Sequence, residues 1–443
     1  MKIHFIGIGG IGVSALAKYY LKSGHKITGS DLVSSEITEA LKKKGAKIFL
    51  GPQKAQNIQR NVDLVIYSPA VKKDNPELKE ACKLKIVNCK LKIMSYPKAL
   101  GELTKNHYTI AVSGTHGKST TTAMIGLLLT KAGLDPTVIV GTKLKEFGDS
   151  NCRVGKSKYL IIEADEHFAS FLNYWPKIIV LTTLEPDHLD YYKNFKNYTL
   201  AFKKFISHLP KDGCLIANCD DKNVYSIFST TAKNVKWYSL KNKESRKLKK
   251  ILKIPGEFNI SNALAALTVA RILKIPDKIS FKALSEYKGS WRRFEIKNTN
   301  LHKSEHKSTR ITLISDYGHH PTEIKVTLRA AREKFPKKKI WCIFQPHQYQ
   351  RTYYLFKDFV NVFRKTPVDK LIITDIYDVA GREDKKIKQK VNSQKLVKKV
   401  NKENVIYLPK EQLSNYLKKN LRSGDVLLIM GAGDIYYFGK LLK

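Results

Sequence analysis

The residues best suited to chemistry form a glycine-rich heptapeptide, Gly114-Thr115-His116-Gly117-Lys118-Ser119-Thr120. An apolar run, Tyr108 to Val112, precedes it, and a helical pattern from Thr120 to Lys131 follows it. A strand, a tight glycine turn and a helix N-terminus form a cradle for phosphate, in which Lys118 meets the outer oxygens and the Ser119 hydroxyl can ligate Mg²⁺. The motif is a short form of the Walker pattern. The chain is therefore expected to consume a nucleoside triphosphate.

Acidic and imidazole groups follow the next strands of the same segment. The apolar run Tyr159 to Ile162 ends at Glu163, and the run Ile178 to Leu181 leads to His188. Open α/β sheets bind ligands beyond the carboxyl ends of their strands, so we expect these groups beside the phosphate loop. A carboxylate there can hold Mg²⁺ opposite the triphosphate. The sequence therefore predicts a metal and triphosphate site.

A second glycine loop lies near the start of the chain, where Gly7-Ile8-Gly9-Gly10-Ile11-Gly12 connects a strand pattern with a helical stretch from Val13 to Lys22. Asp31 ends the next strand and completes the dinucleotide fingerprint. The helix N-terminus can bind the diphosphate of NAD or that of a UDP-sugar equally well. Both ligands therefore remain possible. Ser68, which follows the strand Leu64 to Tyr67, is interpreted either as a turn residue or as a ligand contact.

Two asparagines precede an alanine-rich helical pattern that runs from Ala263 to Ile272. Either Asn259 or Asn262 could cap that helix, and either could present its amide to the edge of an adenine. Both interpretations stay open on the residues alone.

A last segment starts near Trp291 and again alternates strands with helices, which indicates another mainly parallel sheet. Its strand ends include Asp316, with His319 and His320 shortly after it, and His347. Adjacent histidines point in different directions on an extended chain, so zinc chelation is the weaker interpretation. Two lysine-rich stretches are predicted to be exposed loops: Lys297 to Arg310 and Arg382 to Lys390.

The composition limits the function classes. With 443 residues, of which 42% are hydrophobic, the chain suggests about three domains. The net charge of +41 comes from lysines dispersed along the chain, which would concentrate anionic ligands, but no nucleic-acid-reading motif accompanies it. We expect no specific nucleic-acid partner.

The six cysteines contain no C-x-x-C pair, and we expect them to be reduced thiols. A strand begins almost at the N-terminus, which leaves no signal peptide, and no apolar segment approaches the roughly 18 residues that span a bilayer. We therefore expect a cytoplasmic protein without a membrane partner.

Together these motifs resemble the Mur ligases, and the resemblance extends almost from end to end of the chain. The matching segments follow the family's order: Gly7 to Gly12, Ser68 to Val71, Asp74 to Glu77, Gly114 to Thr120, Glu163 to Glu166, Asp187-His188, Asn259 with Asn262, Arg292 to Glu295, Asp316 to Glu323, Phe344 to His347 and Gly431 to Asp434. The resemblance implies an α/β fold of three domains: a Rossmann-like UDP-sugar domain (1–105), a central P-loop ATPase domain with a mainly parallel sheet (106–290), and a Rossmann-like C-terminal domain (291–443).

The resemblance also implies a reaction, the ATP-dependent ligation of L-alanine to the carboxylate of UDP-N-acetylmuramate through an acyl phosphate, in peptidoglycan precursor synthesis. The cofactors would be ATP and Mg²⁺, and the protein would be a monomer or weak dimer. Catalytic roles would fall to Lys118, Glu163 and His188, with Ser119 and Glu163 on one Mg²⁺ and His188 on a second. The remaining implied contacts are Gly114 to Thr120, Asn259, Asn262, Arg293 and Asp316 for ATP; Gly9, Gly10, Ile11, Gly12, Asp31 and Ser68 for the UDP-sugar; and His320, His347 and Arg351 for the amino acid.

The chain departs from the family pattern at three positions. His167 and Phe168 stand where the family usually has serine and aspartate, and Gln348 stands where it usually has arginine. These departures leave open a Mur-type ligase with another acceptor, such as a murein peptide recycling enzyme. Two alternatives lie outside the family: an NAD-dependent oxidoreductase, which rests only on the first glycine fingerprint, and a basic nucleic-acid-binding ATPase, which rests on the positive charge.

Overall fold

The computed structural model describes residues 1–230, 234–304, 307–379 and 385–441. The chain divides into two compact units, one formed by Met1–Ile251 with Ser261–Tyr287 and the other by Leu252–Ile260 with Lys288–Lys443. In the described ranges, the first unit contains two β-sheets and the second unit contains one. Short 3₁₀ helices occur at Ala55–Asn57, Lys145–Phe147, His167–Asn173 and Lys410–Gln412.

The first sheet of the first unit is parallel and doubly wound. Its strands are Lys2–Ile6 (β1), Lys26–Asp31 (β2), Lys47–Leu50 (β3), Leu64–Tyr67 (β4) and Lys92–Ser95 (β5). Its helices are Ile11–Lys22 (α1), Glu36–Lys42 (α2), Pro76–Val87 (α3) and Tyr96–Lys105 (α4). The strand order is β3-β2-β1-β4-β5, so the winding reverses between β1 and β4. The glycine loop follows β1 at this switch point, where doubly wound sheets bind ligands.

The second sheet of this unit is mainly parallel. Its strands are Tyr108–Ser113 (β6), Thr137–Leu144 (β7), Ser150–Arg153 (β8), Tyr159–Glu163 (β9), Ile178–Leu181 (β10), Cys214–Asn218 (β11) and Val235–Tyr238 (β12). The accompanying helices are Lys118–Lys131 (α5), Leu189–Tyr192 (α6), Phe195–Ile206 (α7), Lys222–Phe228 (α8), Glu244–Ile251 (α9), Glu257–Ile272 (α10) and Asp277–Glu286 (α11). The order is β12-β11-β10-β6-β9-β7-β8, and the β7–β8 hairpin is the antiparallel pair.

The phosphate loop lies between two deeply buried elements of this sheet. Ile110, Ala111 and Val112 of β6 are fully buried, as expected for a central parallel strand covered on both faces. Helix α5 is buried continuously from Ser119 to Leu129. Packing on both sides therefore fixes the two elements between which the loop runs.

The second unit contains a mixed sheet. Its strands are Glu295–Ser304 (β13), Lys307–Asp316 (β14), Ile340–Phe344 (β15), Lys370–Ile373 (β16), Val405–Tyr407 (β17) and Val426–Met430 (β18). Its helices are Pro321–Lys334 (α12), Tyr349–Tyr354 (α13), Phe356–Arg364 (α14), Lys385–Lys390 (α15), Ser393–Val400 (α16), Leu413–Asn420 (α17) and Ile435–Leu441 (α18). The order is β13-β14-β18-β15-β16-β17, in which β13 and β14 pair antiparallel and the other pairs are parallel.

Two predicted loops are wrong in the second unit. The stretch Lys297 to Arg310 lies in the β13–β14 hairpin, in which Lys297 pairs with Leu313 and Asn300 with Arg310. Its lysines suggested a loop, yet lysine is common on the edge strands of sheets, where it discourages pairing with another chain. In the second stretch, residues 385–390 form α15, while residues 382–384 lie outside the described ranges.

Among the helices of the described ranges, none combines the length and the apolar character that crossing a bilayer requires.

Candidate active site

The phosphate loop depends on two glycines with left-handed backbone. Gly114 has φ +129° and Gly117 has φ +83°, and Gly117 is the N-cap of α5. A Cβ at Gly117 would lie 2.5 Å from Asn262 Oδ1, and a Cβ at Gly114 would collide with the Thr182 hydroxyl. Both positions therefore need glycine for their conformation and for lack of space.

The end of β10 holds the middle of the loop. Thr115 N donates to Thr183 O at 2.8 Å, and His116 N donates to Thr183 Oγ1 at 3.0 Å. The Thr182 hydroxyl donates to His116 O at 2.5 Å. These bonds fix the loop before α5, whose first N–H groups have no acceptor within the helix and can face an anion.

Lys118, the first residue of α5, lies in a nest of acceptors. Its Nζ donates to Gly114 O at 2.7 Å and to Thr115 O at 3.2 Å, and it lies 3.0 Å from Glu166 Oε1. Burial alone would lower the pKa of Lys118, but the carboxylates of Glu166, Asp165 and Glu163 raise it above its ordinary value. The side chain therefore carries a positive charge at the base of the loop.

Ser119, in the first turn of α5, meets Glu163 at the carboxyl end of β9. Ser119 Oγ donates to Glu163 Oε1 at 2.9 Å. The other carboxylate oxygen, Oε2, accepts from Gly141 N at 2.7 Å, and a Cβ at Gly141 would lie 2.7 Å from it. The structure thus brings together two of the predicted metal ligands and orients them through a backbone amide of β7.

His188 belongs to a neighbouring acidic group. Ligand atoms of Asp165, Glu166 and His188 lie within 4.8 Å of one another. His188 has φ +51° and its ring stacks on that of His167, with centroids 4.2 Å apart. Phe168, with φ +54°, stacks in turn on His167. Of the residues that depart from the family pattern, His167 therefore stacks directly on His188, and Phe168 stacks on His167.

Asn262 contacts the phosphate loop from α10. Its Oδ1 accepts from Thr121 Oγ1 at 3.2 Å and lies against Gly117. Asn259, three residues earlier, donates from Nδ2 to Pro255 O at 2.6 Å. Because α10 begins at Glu257, both asparagines lie inside the helix, and the prediction that either caps a helix starting at Ala263 is wrong.

The glycine loop after β1 is held by its own neighbours. Gly7 has φ +77°, and a Cβ there would lie 3.0 Å from that of Ser68. Gly9 N donates to Asp31 Oδ2 at 2.7 Å. Ser68 Oγ accepts from Ala70 N at 3.3 Å, as expected of a turn residue. Asp31 and Ser68 therefore shape this loop, and their contact with a ligand stays a prediction.

The remaining loop residues open α1. Gly10 is the N-cap and Ile11 the first helical residue. A Cβ at Gly12 would lie 2.7 Å from the ring of Tyr96, so this ring covers the helix N-terminus at close range. Glycine at position 12 is thus required by packing.

In the second unit, Arg293 and Asp316 lie near each other. Asp316 Oδ2 accepts from Phe294 N at 2.8 Å, and the Arg293 guanidinium lies 5.0 Å from the ring centroid of Tyr317. Burial raises the pKa of Asp316, and the charge of Arg293 opposes that shift. Arg292 instead donates to Gly431 O, which ties the start of this unit to the loop after β18.

The histidines of the second unit have different settings. Nδ1 of His347 lies 3.3 Å from Nη1 of Arg351, and the His347 ring stacks on that of Tyr377 with the ring centroids 5.5 Å apart. His320 is the N-cap of α12, and its Nδ1 accepts from a backbone N–H of the first turn at 3.3 Å. The His319 ring lies near that of His347, with the two centroids 5.8 Å apart. His320 therefore has a capping role that the sequence did not indicate.

Gln348 occupies a strained position beside this group. It is buried, it has φ +72° and ψ 132°, and it precedes α13. Its backbone N–H donates to Tyr377 O at 3.1 Å. A non-glycine residue in this region of backbone space is held by its surroundings, which is common at functional sites.

Three family models match the chain: the Mur ligase family, catalytic domain, over residues 2–108; the Mur ligase middle domain over residues 112–270; and the Mur ligase, glutamate ligase domain, over residues 292–433. A UDP-N-acetylmuramate–L-alanine ligase of Clostridium tetani is 43% identical over 465 residues, covering 99% of this chain and 97% of the relative. The chain belongs to the Mur ligase family. A UDP-N-acetylmuramate–L-alanine ligase of Clostridium acetobutylicum is also 43% identical, over 463 residues with the same coverage.

Solved structures agree with this assignment. The UDP-N-acetylmuramate–alanine ligase of Thermotoga maritima superposes on this Mur ligase with a TM-score of 0.79 at 29% identity, covering 100% of this chain and 98% of that one. A murein peptide ligase of Psychrobacter arcticus has a TM-score of 0.71 at 22% identity, with coverage of 100% and 98%, and shows the fold alone. Family membership argues against the oxidoreductase and nucleic-acid-binding alternatives.

The donor atoms of this Mur ligase fit a magnesium ion. A hydroxyl and a carboxylate oxygen, those of Ser119 and Glu163, lie 2.9 Å apart beside the phosphate loop. Hard oxygen donors next to a phosphate site are the ligands that Mg²⁺ prefers. His188 lies on the separate group with Asp165 and Glu166, so the predicted ligands fall into two sets.

Sequence reasoning missed several residues of the site. Glu166 was noted only as part of the run that follows β9, although its carboxylate is the ion-pair partner of Lys118. Thr183 holds the loop through its backbone O and its Oγ1, and Gly141 holds Glu163 through its backbone N–H. The backbone contacts leave little trace in residue type. The position of Glu166 at a strand end was the one available signal.

Proposed function

We propose that this chain joins L-alanine to the carboxylate of UDP-N-acetylmuramate, with conversion of ATP to ADP and phosphate, as a step of peptidoglycan precursor synthesis. The observation that carries the proposal is the convergence of Lys118, Ser119 and Glu163 on one phosphate loop in a Mur ligase. The relatives that are 43% identical over 99% of the chain support the choice of sugar and amino acid.

The reaction solves a problem of leaving groups. A carboxylate is a poor acylating agent because its oxygen would leave as oxide. One carboxylate oxygen attacks the γ-phosphorus of ATP, the bond to the bridging oxygen breaks, and ADP leaves. The amine of L-alanine then attacks the acyl carbon, and inorganic phosphate leaves from the tetrahedral intermediate as the amide forms.

The side chains of the phosphate loop offset charge repulsion in the first step. An anionic nucleophile approaches an anionic phosphate, and such transfers depend mainly on positioning and electrostatic stabilisation. Lys118 would neutralise the γ-phosphate oxygens, and the first turn of α5 would face them with its N–H groups. Ser119 and Glu163 would hold one Mg²⁺, and His188 would help to hold a second. Bound Mg²⁺ would neutralise phosphate charge.

The other assignments come from the family likeness. The loop from Gly9 to Gly12, with Asp31 and Ser68, would hold the UDP-sugar. Asn262 and, from the second unit, Asn259, Arg293 and Asp316 would serve the nucleotide. His320, His347 and Arg351 would serve the amino acid. We propose domains of residues 1–105, 106–290 and 291–443.

The proposal extends to the setting of the enzyme. All six cysteines are free thiols, which is typical of a reducing compartment, and supports a cytoplasmic location. We propose a monomer or weak dimer without a specific nucleic-acid or membrane partner.

The test offers L-alanine, glycine, L-serine and a muropeptide tripeptide in parallel to the full chain with ATP, Mg²⁺ and UDP-N-acetylmuramate. Phosphate release and product mass are measured together. Alanine-dependent release with the mass gain of one alanyl residue is expected. Preference for another acceptor would change the assigned substrate and would implicate Gln348, His167 and Phe168 in the choice of acceptor. Phosphate release that does not depend on the sugar would contradict the proposal.

A further inference from the structure

The β7–β8 hairpin contacts the helix that follows the first glycine loop. Asn151 of β8 is 1% exposed, and its Nδ2 donates to Ile11 O and, at 3.0 Å, to Ser14 Oγ. Ile11 is the first residue of α1 and part of the loop itself. A side chain of the second sheet therefore holds the helix start to which the sugar diphosphate is assigned.

Lys18 holds the oxygen of the Asn151 side-chain amide. Its Nζ donates to Asn151 Oδ1 at 2.6 Å and lies 3.4 Å from Ser150 Oγ. Lys18 is 8% exposed, and both acceptors are neutral. Burying a charge against neutral partners costs free energy that an apolar residue would not cost. Lys18 therefore orients Asn151 at a cost in folding stability.

The same hairpin holds the catalytic carboxylate assigned to the phosphate loop. Gly141 of β7 donates its N–H to Glu163 Oε2 at 2.7 Å, while Glu163 Oε1 accepts from Ser119. Strands β7 and β8 are paired through Ile139 and Cys152. One paired element thus contacts a ligand group of the phosphate loop and the first turn of α1.

Tyr96 also contacts the glycine loop before α1. Its ring lies against Gly12, at 2.7 Å from the position of a Cβ there. Burial raises the pKa of the Tyr96 hydroxyl, and the charges of Glu163 and Asp165 raise it further, which indicates that these carboxylates lie nearby. The ring of Tyr96 thus lies near residues of both sheets of the first unit.

We propose that the β7–β8 hairpin sets the distance between the glycine loop before α1 and the phosphate loop before α5, with Asn151 as the positioning residue and Lys18 as its support. The inference rests on the proposed function, in which one loop holds the sugar nucleotide and the other holds ATP. The sugar carboxylate must then reach the γ-phosphorus in line. A misplacement of about 1 Å in such an arrangement can lower the rate by about 100-fold.

The decisive variant is Asn151→Asp in the full chain. It keeps the oxygen that Lys18 contacts and the side-chain shape, but it places an acceptor where Ile11 O and Ser14 Oγ need a donor. We expect kcat to fall about tenfold or more, while KM for ATP and for UDP-N-acetylmuramate stay within about threefold, because every residue assigned to binding either ligand is retained. An unchanged kcat, or a raised KM for the sugar with native kcat, would overturn the proposal.

Lys22→Met is the matched control. Lys22 lies at the other end of α1 and donates to Val154 O at 3.0 Å, so it contacts the same strand region without touching the first turn. Its kcat should equal that of the native chain. If Asn151→Asp does not fold, Ser14→Ala takes its place, since it removes one acceptor of Asn151; a kcat lowered about threefold at native KM supports the proposal, and native kcat overturns it.

Hydrogen exchange separates this inference from the proposed function. Amides in residues 11–18 should exchange about tenfold faster in Asn151→Asp than in the native chain or in Lys22→Met, while those in residues 118–131 do not change. An absence of any sugar-dependent turnover in the native chain would refute the proposed function. Equal exchange in all three proteins would refute the positioning role, whether or not the native chain is active.

Discussion

Lys118 is charged although its side chain is only 13% exposed, because Glu166 and two further carboxylates surround it. Burial raises the pKa of Glu166, and the charge of Lys118 opposes that rise. The ion pair with Glu166 keeps Lys118 positively charged at the phosphate loop. Glu166 is thus the counter-ion of Lys118, and a bound γ-phosphate would share Lys118 with it or take its place.

Lys118→Met should lower turnover by about 10²-fold to 10³-fold or more, because it removes a preorganised charge while keeping the aliphatic volume. Initial rates of phosphate release measure the effect, with thermal unfolding as a check on the fold. Lys131→Met is the matched control, since Lys131 is at the exposed end of α5 and pairs with Glu286. Turnover at the native level in Lys118→Met would refute the role of the lysine.

Gly117→Ala should abolish nucleotide binding, because the new Cβ would meet Asn262 Oδ1 at 2.5 Å in a backbone of φ +83°. Gly133→Ala is the control that has the backbone strain without the collision, because Gly133 has φ +78° but nothing within 4 Å of a Cβ there. This replacement should lower the free energy of unfolding by only about 1 kcal/mol. Titration with a fluorescent ATP analogue distinguishes the two. Equal loss of binding in both variants would contradict the argument.

The sequence predicted the glycines, Lys118, Ser119 and Glu163, because these residue types carry the chemistry themselves. It did not reveal the partner of Lys118, since Glu166 is 48 residues away and only the pairing of β6 with β9 brings the two together. Nor could it distinguish His319 from His320, because the direction of each ring depends on where α12 begins.

At the scale of elements, strands were easier to predict than loops. The apolar runs Tyr159 to Ile162 and Ile178 to Leu181 correspond to β9 and β10, because buried parallel strands are almost wholly apolar. Helix α10 begins six residues earlier than predicted, since polar residues of its first turns are buried by tertiary contacts. The lysine-rich β13–β14 hairpin was missed because edge strands tolerate charge.

Helix α1 should make stability depend on pH through Lys18. Burial lowers the pKa of Lys18 from 10.5 to about 8. Between these values the unfolded chain binds a proton that the folded chain does not, so the free energy of unfolding should rise with pH, by about 3 kcal/mol across the window. Below about pH 8 both states are protonated and the contribution is constant.

Denaturant unfolding of the native chain and of Lys18→Met from about pH 7 to about pH 10.5 measures this contribution. The difference between the two proteins isolates Lys18 from other groups that titrate in the range. Identical pH dependence in both would mean that Lys18 has its ordinary pKa in the folded chain.

For the whole molecule, the net charge of +41 should act on anionic substrates. We expect kcat/KM for ATP to fall about threefold to tenfold between about 50 mM and about 300 mM salt, because screening weakens the attraction. L-alanine is the internal control, since its zwitterion has no net charge. A kcat/KM for ATP that does not respond to salt would show that the lysines do not affect substrate capture.

The division of the chain into domains was predicted only in outline. Each of the three matched Mur ligase ranges corresponds to one sheet of the fold, although the second range begins inside β6. Buried side chains of the first two sheets form one continuous hydrophobic cluster, including Ile66 and Ile162. Such packing between domains depends on shape and could not be inferred from the motifs, so the boundary at residue 105 stays a prediction.

The central claim is that the sugar carboxylate attacks the γ-phosphorus of ATP at the phosphate loop. Its most direct test uses UDP-N-acetylmuramate labelled with ¹⁸O in the carboxylate, together with ATP, Mg²⁺ and L-alanine, and mass analysis of the phosphate released. The account predicts that each released phosphate carries one oxygen from the carboxylate. Phosphate without the label, with both labelled oxygens retained by the sugar, would contradict the account, because the carboxylate would then never have been phosphorylated.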